Sequence, residues 1–208
     1  MKLLVATRSP GKQAEVRALF EGTGIEVVFP EQVGVAPAPA EDALELHDSF
    51  RGNALAKAAY FAKKSGLPTV ADDSGIEVFS LGGEPGVRSK RWAGADGSDA
   101  AVDAANNAHL LRRLLGAEGS RRKARYRCVL AYLKAPNALP EFFEGQCTGE
   151  ILLEQVGSNG FGYDPLFRSD DLGKSFGEAT AEEKHAVSHR GRAFAALMPH
   201  LAEASPNR

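Results

Sequence analysis

The sequence predicts an α/β protein with a mixed sheet flanked by helices, and three observations lead there. A short apolar run, a helical stripe and a second apolar run follow one another over residues 2–29. Two β-patterned stretches, 125–133 and 141–152, lie close enough in the chain to pair as antiparallel neighbours. Elsewhere apolar residues recur at the 3.6-residue spacing of amphipathic helices. At 208 residues the chain is expected to form a single domain over 1–208, with room for two lobes around a cleft.

Taken in order, residues 2–6 (KLLVA) read as a short buried strand. After "TRSPG", residues 12–21 read as a helix with Val16, Leu19 and Phe20 on one face. Ile25–Phe29 then makes a strand, so the loop after the first strand sits at a carboxyl edge, where open α/β sheets hold ligands. Residues 30–48, rich in Pro, Ala and acidic groups, read as an irregular connection. Ser49 or Asp48 caps a helix over 50–65 whose inward stripe is Leu55, Ala58, Ala59 and Ala62, and Gly66 ends it. "TVA" is a buried strand entering "DDSG" at a Ser-Gly turn, with a short strand at 76–80 beyond. A glycine-rich surface loop occupies 82–97, and Asp99 opens a helix with Ala104, Ala108, Leu111 and Leu115 inward. A last helix starts near Ser188 with Phe194, Leu197, Met198 and Leu201 inward; Pro199 is expected to kink or end it, and "SPNR" to fray.

Composition narrows the function. The net charge is −2, which gives no global basic field, and the basic residues form no continuous track for a nucleic-acid backbone. No apolar run approaches eighteen residues, and the five apolar residues before Arg8 are too few for a leader core, so no membrane partner is expected. Cys128 and Cys147 lack metal-ligand spacing and read as thiols of a reducing cytoplasm.

Four segments carry chemistry-bearing residues. In "ATRSPGK", Thr7, Gly11 and Lys12 at a helix start suit a phosphate grip, although the P-loop spacing is missing and a plain strand-to-helix turn fits too. In "VADDSG", Asp72 and Asp73 leave an apolar strand on opposite faces. One suits a hard cation or a water, while an Asx-turn is the structural alternative. Glu45 is a candidate second ligand, or a solvated acid. "GSNGFGYDPLF", residues 157–167, suits a phosphate cradle, a base-stacking platform built on Phe161 and Tyr163, or a core aromatic turn. In "EEKHAVSHRGRA", Lys184, His189, Arg190 and Arg192 gather near a helix start, where an anion or polar ligand would compensate their charge. Together these parts match a nucleoside polyphosphate.

Five blocks in order, "ADDSG", "GGEPGVRSKRWAG", "ARYRCVLAYL", "GFGYDPLF" and "EEKHAVSHRGRA", give the chain a resemblance to the inosine triphosphate pyrophosphatase family from Lys2 to about Leu201. The resemblance implies an elongated mixed central sheet flanked by helices, with two lobes around a nucleotide-binding cleft, and a homodimer. It implies Mg²⁺-dependent hydrolysis of XTP, ITP and dITP to the monophosphate and pyrophosphate. Carried onto this chain, it makes Asp73 the proton acceptor and a metal ligand, with Glu45 a further metal ligand. Thr7, Arg8, Ser9, Pro10, Gly11 and Lys12 would grip phosphates, and Ser74, Phe161, Gly162, Tyr163, Asp164, Lys184, His189 and Arg190 would contact substrate.

Three departures stand out. Ser9 replaces the Asn of the family's T-x-N-x-x-K, Gly52 stands in the acidic position of F-x-E-N-A, and "LHDS" follows Glu45 where a Gly-containing stretch is usual. Two competing readings are a Maf-type nucleotide pyrophosphatase, suggested by "SP" in the first loop, and a nucleotide-binding sensor without turnover.

Overall fold

The structure is a computed structural model that describes residues 1–204. Its elements are β1 (Lys2–Val5), α1 (Pro10–Phe20), β2 (Glu26–Val28), α2 (Phe50–Ser65), β3 (Thr69–Val78), α3 (Asp99–Arg113), β4 (Lys123–Leu133), β5 (Glu141–Ile151), β6 (Phe167–Ser169), α4 (Ala181–Val187) and α5 (His189–Ala204). The six strands form one mixed sheet in the order β2-β1-β3-β4-β5-β6. β1 runs parallel to β2, with Leu3 opposite Val27, and parallel to β3, with Val5 opposite Val70. β6 closes the other edge antiparallel to β5, with Glu150 opposite Arg168. The mixed α/β architecture and the adjacency of β4 and β5 follow the expectation.

The chain divides into two compact units. The first contains residues 1–73, 128–145 and 192 onward. One of its apolar clusters joins Val16 and Phe20 of α1 to Phe194, Leu197 and Leu201 of α5 and to Leu3, Val5 and Leu130 of the sheet. Phe20 and Phe194 meet edge to face at 5.6 Å, the geometry that the ring quadrupole favours. A second cluster seats Ala54, Ala58, Phe61 and Ala62 of α2 against Leu4, Ala71 and Ala131. The second unit contains residues 74–127 and 146–191, and its core gathers Ile76, Leu110, Tyr126, Ile151, Phe167 and Phe176.

Several elements differ from the sequence-based expectation. The "DDSG" segment is not a turn: β3 runs unbroken from Thr69 to Val78, because backbone pairing to flanking strands outweighs the turn preference of Asp, Ser and Gly. The connection 30–48 contains 3₁₀ segments at Pro30–Val33 and Pro39–Glu45, and the 82–97 loop contains another at Gly86–Arg91. α1 starts two residues early, since Pro10 occupies the first helical position, where a missing N–H costs nothing. α5 continues past Pro199 to Ala204. The "SPNR" tail lies outside the described residues.

Two helix faces are also rotated from the expected stripes. α2 buries Asn53, Ala54, Lys57 and Ala58 and leaves Ala59 exposed. α3 buries Asn106, Asn107 and Leu110 and leaves Ala104 and Ala108 exposed, and it ends at Arg113, so Leu115 lies beyond it, 91% exposed. In both, polar side chains that find partners inside take places an apolar count assigns to alanine or leucine. Ser49 caps α2 and Ser98 caps α3, each accepting a backbone N–H three residues on. Among the described residues no helix is long and apolar enough to cross a membrane.

Candidate active site

In the first unit the chemistry collects around Asp73, a buried carboxylate on β3. Asn53 of α2 donates its amide to Asp73 Oδ2 at 2.9 Å and accepts the His47 backbone N–H at 2.9 Å. Lys57, one helical turn further along, places Nζ 3.3 Å from Asp73 Oδ1 and 2.8 Å from Glu45 Oε1. One cation is thus held between the two carboxylates expected to bind metal. Burial drives the Asp73 carboxyl above its ordinary range, more strongly than Lys57, Lys12 and Asn53 pull it down. Burial opposes the Lys57 ammonium as well, but Asp73 and Glu45 outweigh it and hold the charge in place.

Beside this centre, Ser9 stands at the N-cap of α1 without a side-chain cap bond, and Pro10, Gly11 and Lys12 form the first turn. The positive end of the helix dipole therefore lies beside Lys12, whose ammonium pairs with Asp72 at 2.8 Å. Thr7 is buried; its hydroxyl accepts the Ser9 N–H at 3.3 Å and its carbonyl accepts from Gln13 at 3.1 Å. Arg8 is engaged differently from its neighbours. Its guanidinium forks onto Glu41 at 2.6 and 2.8 Å, reaches Glu31 at 2.6 Å and donates to the Val35 carbonyl. It braces the acidic connection that ends in Glu45. A bidentate Arg–carboxylate fork is among the stiffer polar contacts available for that task.

Two of the departures from the family pattern turn out to be one. A Cβ added at Gly52 would come within 2.8 Å of His47 Cβ. His47, from the unusual "LHDS" stretch, occupies the space a residue-52 side chain would need, so no acid is presented there.

In the second unit, Asp164, Lys184, His189 and Arg190 are all buried. Asp164 Oδ2 accepts the Phe161 N–H at 2.9 Å and pairs with Lys184 Nζ at 2.5 Å. Lys184 Nζ sits 4.9 Å from the Phe161 ring centre and Arg190 Cζ 5.8 Å, so two cations border one aromatic ring. Arg190 also donates to the Ser74 hydroxyl at 2.8 Å, and His189 stacks flat on Tyr126 at 4.6 Å. Tyr163 is placed otherwise: its ring lies in the apolar core and its hydroxyl donates to the Ser89 carbonyl at 2.8 Å. Burial, with Asp103 nearby, pushes its phenol well above the usual range, so it is a neutral structural donor.

The glycines of 157–167 serve this arrangement. Gly160 takes a left-handed φ of 75°, and a Cβ there would overlap the Asp164 carboxylate. At the α4–α5 elbow, Gly191 N donates to the Ser188 hydroxyl at 3.0 Å, and a Cβ on Gly191 would overlap the His185 carbonyl. That close approach sets His189 and Arg190 at the start of α5.

The structure therefore brings Asp73, Glu45 and Lys12 into one charged region of the first unit, and Phe161, Asp164, Lys184 and Arg190 into one region of the second. Sequence reasoning missed Asn53 and Lys57. Their signal was a polar pair at i, i+4 on a helix face otherwise lined with alanine, which reads as solvated unless its neighbours are known.

An α/β protein with an anion-receptive helix start, a paired-carboxylate centre and a cation-bordered ring belongs among proteins equipped for phosphate and planar rings. Comparison with known proteins is more specific. The Ham1 family model matches residues 3–200. The chain is 42% identical over 204 residues to a dITP/XTP pyrophosphatase of Yersinia pseudotuberculosis, covering 98% of this chain and 99% of that one. It is also 42% identical over 208 residues to one of Thermus thermophilus, covering 100% and 95%. The solved HAM1 protein of Coxiella burnetii superposes with a TM-score of 0.83 at 34% identity, covering 98% and 99%. A dITP/XTP pyrophosphatase of Mycobacterium abscessus superposes with a TM-score of 0.71 at 43% identity, covering 96% and 100%. The chain belongs to the Ham1 family.

Proposed function

We propose that this protein hydrolyses noncanonical purine nucleoside triphosphates, XTP, ITP and dITP, to the nucleoside monophosphate and pyrophosphate with Mg²⁺ as cofactor. The observation that carries the reading is the full-length identity of 42% to relatives named dITP/XTP pyrophosphatase. The geometry supports it part by part.

The donor set suits a hard divalent cation. Asp73 and Glu45 already share one cationic group, the Lys57 ammonium, so their oxygens converge on a common point. Among the described residues no cluster of three or more His, Cys, Asp or Glu side chains is arranged to hold a metal. Mg²⁺ commonly takes only one or two carboxylates and completes its shell with phosphate oxygens and water. When bound, the ion would neutralise phosphate charge and polarise the phosphorus under attack.

The remaining work belongs to the chain. Lys12 and the α1 N-terminus, with Thr7 and Ser9, receive phosphate oxygens, and Arg8 acts as a brace for the segment that carries Glu45. Asp73, its carboxyl made more basic by burial, accepts the proton of the water that attacks the α-phosphorus, and pyrophosphate leaves. Phe161 stacks on the base, while Lys184, His189 and Arg190 donate to keto oxygens on its edge. A 6-keto oxygen accepts such bonds, whereas the 6-amino group of adenine leaves buried donors without acceptors. The protein acts in the cytoplasm as a homodimer, which sedimentation equilibrium checks directly.

The decisive experiment is a panel of ITP, XTP, dITP, ATP, GTP, dTTP and UTP with product identification. Turnover of ITP and XTP exceeds that of ATP by roughly 10²-fold or more, with pyrophosphate as the inorganic product. Preference for dTTP or UTP would favour the Maf-type reading, and tight XTP binding without cleavage would favour a sensor. A second expected result concerns stacking. Phe161→Ala raises KM for ITP by roughly tenfold and changes kcat much less, because a base–ring contact worth about 1–3 kcal/mol is the same in ground and transition states. Steady-state kinetics on the variant give the answer; a fall confined to kcat would remove Phe161 from the base site.

A further inference from the structure

The polar residues that α3 turns inward have a definite target. Asp103 Oδ2 accepts the Gly162 N–H at 2.8 Å, and Asn107 Nδ2 donates to the Gly162 carbonyl at 2.9 Å. The two side chains lie one turn apart on α3, so they reach the peptide groups on either side of a single residue. Gly162 itself adopts a left-handed φ of 63°, a backbone state with no side chain of its own to anchor it. One residue earlier, the Phe161 N–H goes to Asp164. The N–H groups of Phe161 and Gly162 thus each end on a carboxylate, one from the loop itself and one from α3. The charged groups around this turn are Lys184, Arg190, Asp164 and Asp103, and Asp103 is paired in turn with Lys90.

Asn107 is buried, and its neighbour Asn106 ties α3 to the preceding loop through the Ala93 N–H and the Lys90 carbonyl. The support behind the turn is therefore a braced helix and not a mobile loop. Asp164 holds the peptide before Phe161 and Asp103 the peptide after it, while Asn107 anchors the next one, so the Cα–Cβ direction of Phe161 is held.

We infer that Asp103 and Asn107 are positioning residues that orient Phe161 for the purine by gripping the backbone of Gly162 from α3. The inference rests on the reading of Phe161 as the base platform. It predicts that these residues affect recognition of the base and leave phosphate recognition alone, acting through the Gly162 backbone.

The test compares Asp103→Ala, Asp103→Asn, Asn107→Leu, Lys90→Met and Phe161→Ala in steady-state hydrolysis of ITP, with product inhibition by inosine monophosphate and by pyrophosphate as separate readouts. Asp103→Ala and Asn107→Leu each raise KM and the inhibition constant of inosine monophosphate by roughly five- to tenfold, the effect of one lost hydrogen bond. Both leave kcat and pyrophosphate inhibition within about twofold. Asp103→Asn retains an acceptor for the Gly162 N–H and recovers most of the loss. Lys90→Met removes only the exposed ion pairs with Asp99 and Asp103, leaves the Asp103–Gly162 hydrogen bond in place and keeps wild-type kinetics. Unchanged KM in Asp103→Ala and Asn107→Leu while Phe161→Ala raises it would overturn the inference, as would equal losses toward inosine monophosphate and pyrophosphate. Unchanged KM in Phe161→Ala would instead overturn the base-platform reading on which it stands. Asp103 is only partly buried, so its variants answer the question even if Asn107→Leu does not fold.

Discussion

Asp73→Asn is expected to abolish pyrophosphate release from ITP and XTP, lowering kcat by roughly 10³-fold or more, while the protein stays folded. The two halves of that expectation have separate causes. Proton acceptance by a positioned side chain is commonly worth about 10²–10⁴-fold, and the amide also removes a negative oxygen from the pair that would hold the cation. Folding is weakened and not abolished, because the site already disfavours the carboxylate while Lys57 retains Glu45 as a partner. Burial raises the Asp73 pKa above its unfolded value despite Lys57, Lys12 and Asn53. A raised carboxyl pKa means that the folded state binds this proton more tightly than the unfolded one. The contribution to stability therefore grows as pH falls through the folded pKa and shrinks as pH rises. A neutral amide at this position relieves the burial cost of the carboxylate and gives up its attraction for Lys57, which keeps Glu45 as a partner, and it still offers Asn53 an oxygen to donate to. Release of pyrophosphate from ITP, measured beside a thermal melt, decides the matter. Turnover within tenfold of wild type would remove Asp73 from the reaction.

Lys57→Met is expected to destabilise the fold strongly. Nearly all of the lysine is buried, and its ammonium stands between Asp73 and Glu45. Removing one partner of a buried ion pair costs about 3–5 kcal/mol, because the remaining charges are stranded. For a chain of this size each kcal/mol moves Tm by about 2–4 °C, so a fall of roughly 10 °C is expected in EDTA. The pH dependence has a definite sign. Without the ammonium the Asp73 carboxyl pKa climbs further, so the variant recovers stability as pH is lowered into the range where Asp73 takes up its proton. Millimolar Mg²⁺ should also recover part of the lost Tm, since a cation that binds the folded state alone stabilises it by mass action. Calorimetry of both proteins with EDTA and with Mg²⁺ checks this, and equal Tm values in EDTA would show that the buried ammonium is not needed to balance the carboxylates.

These two residues also mark how far the residues could be read before the fold was known. Asp73 was legible because a carboxylate at the end of an apolar run is chemically conspicuous. Lys57 was not, because a lysine inside an alanine-rich helix ordinarily points to water. The same physical cause rotated α3. Asn106 and Asn107 look like a polar face, yet they find backbone partners at Lys90, Ala93 and Gly162 and go inside. A hydrogen-bonded amide can be buried at little net cost, so an apolar count misplaces a helix face wherever the neighbouring segments supply such partners.

Tyr163 is the opposite case. As an aromatic beside a glycine it looked available to a ligand, but the core takes its ring and Ser89 takes its hydroxyl.

Local patterns were enough to establish most of the succession of strands and helices, though not β6 or α4, and also Ser49 as one of two candidate caps of α2, the helix-start lysine and the glycine turn around Phe161. Those features depend on backbone preferences and periodicity within a few residues. Only the folded chain decided that Asp72 and Asp73 are both buried with separate partners, that "DDSG" continues a strand, that Arg8 braces the acidic connection, and that α3 grips Gly162. Each of these depends on partners distant in the chain, and the free energy of burying a polar group turns on whether such a partner is there.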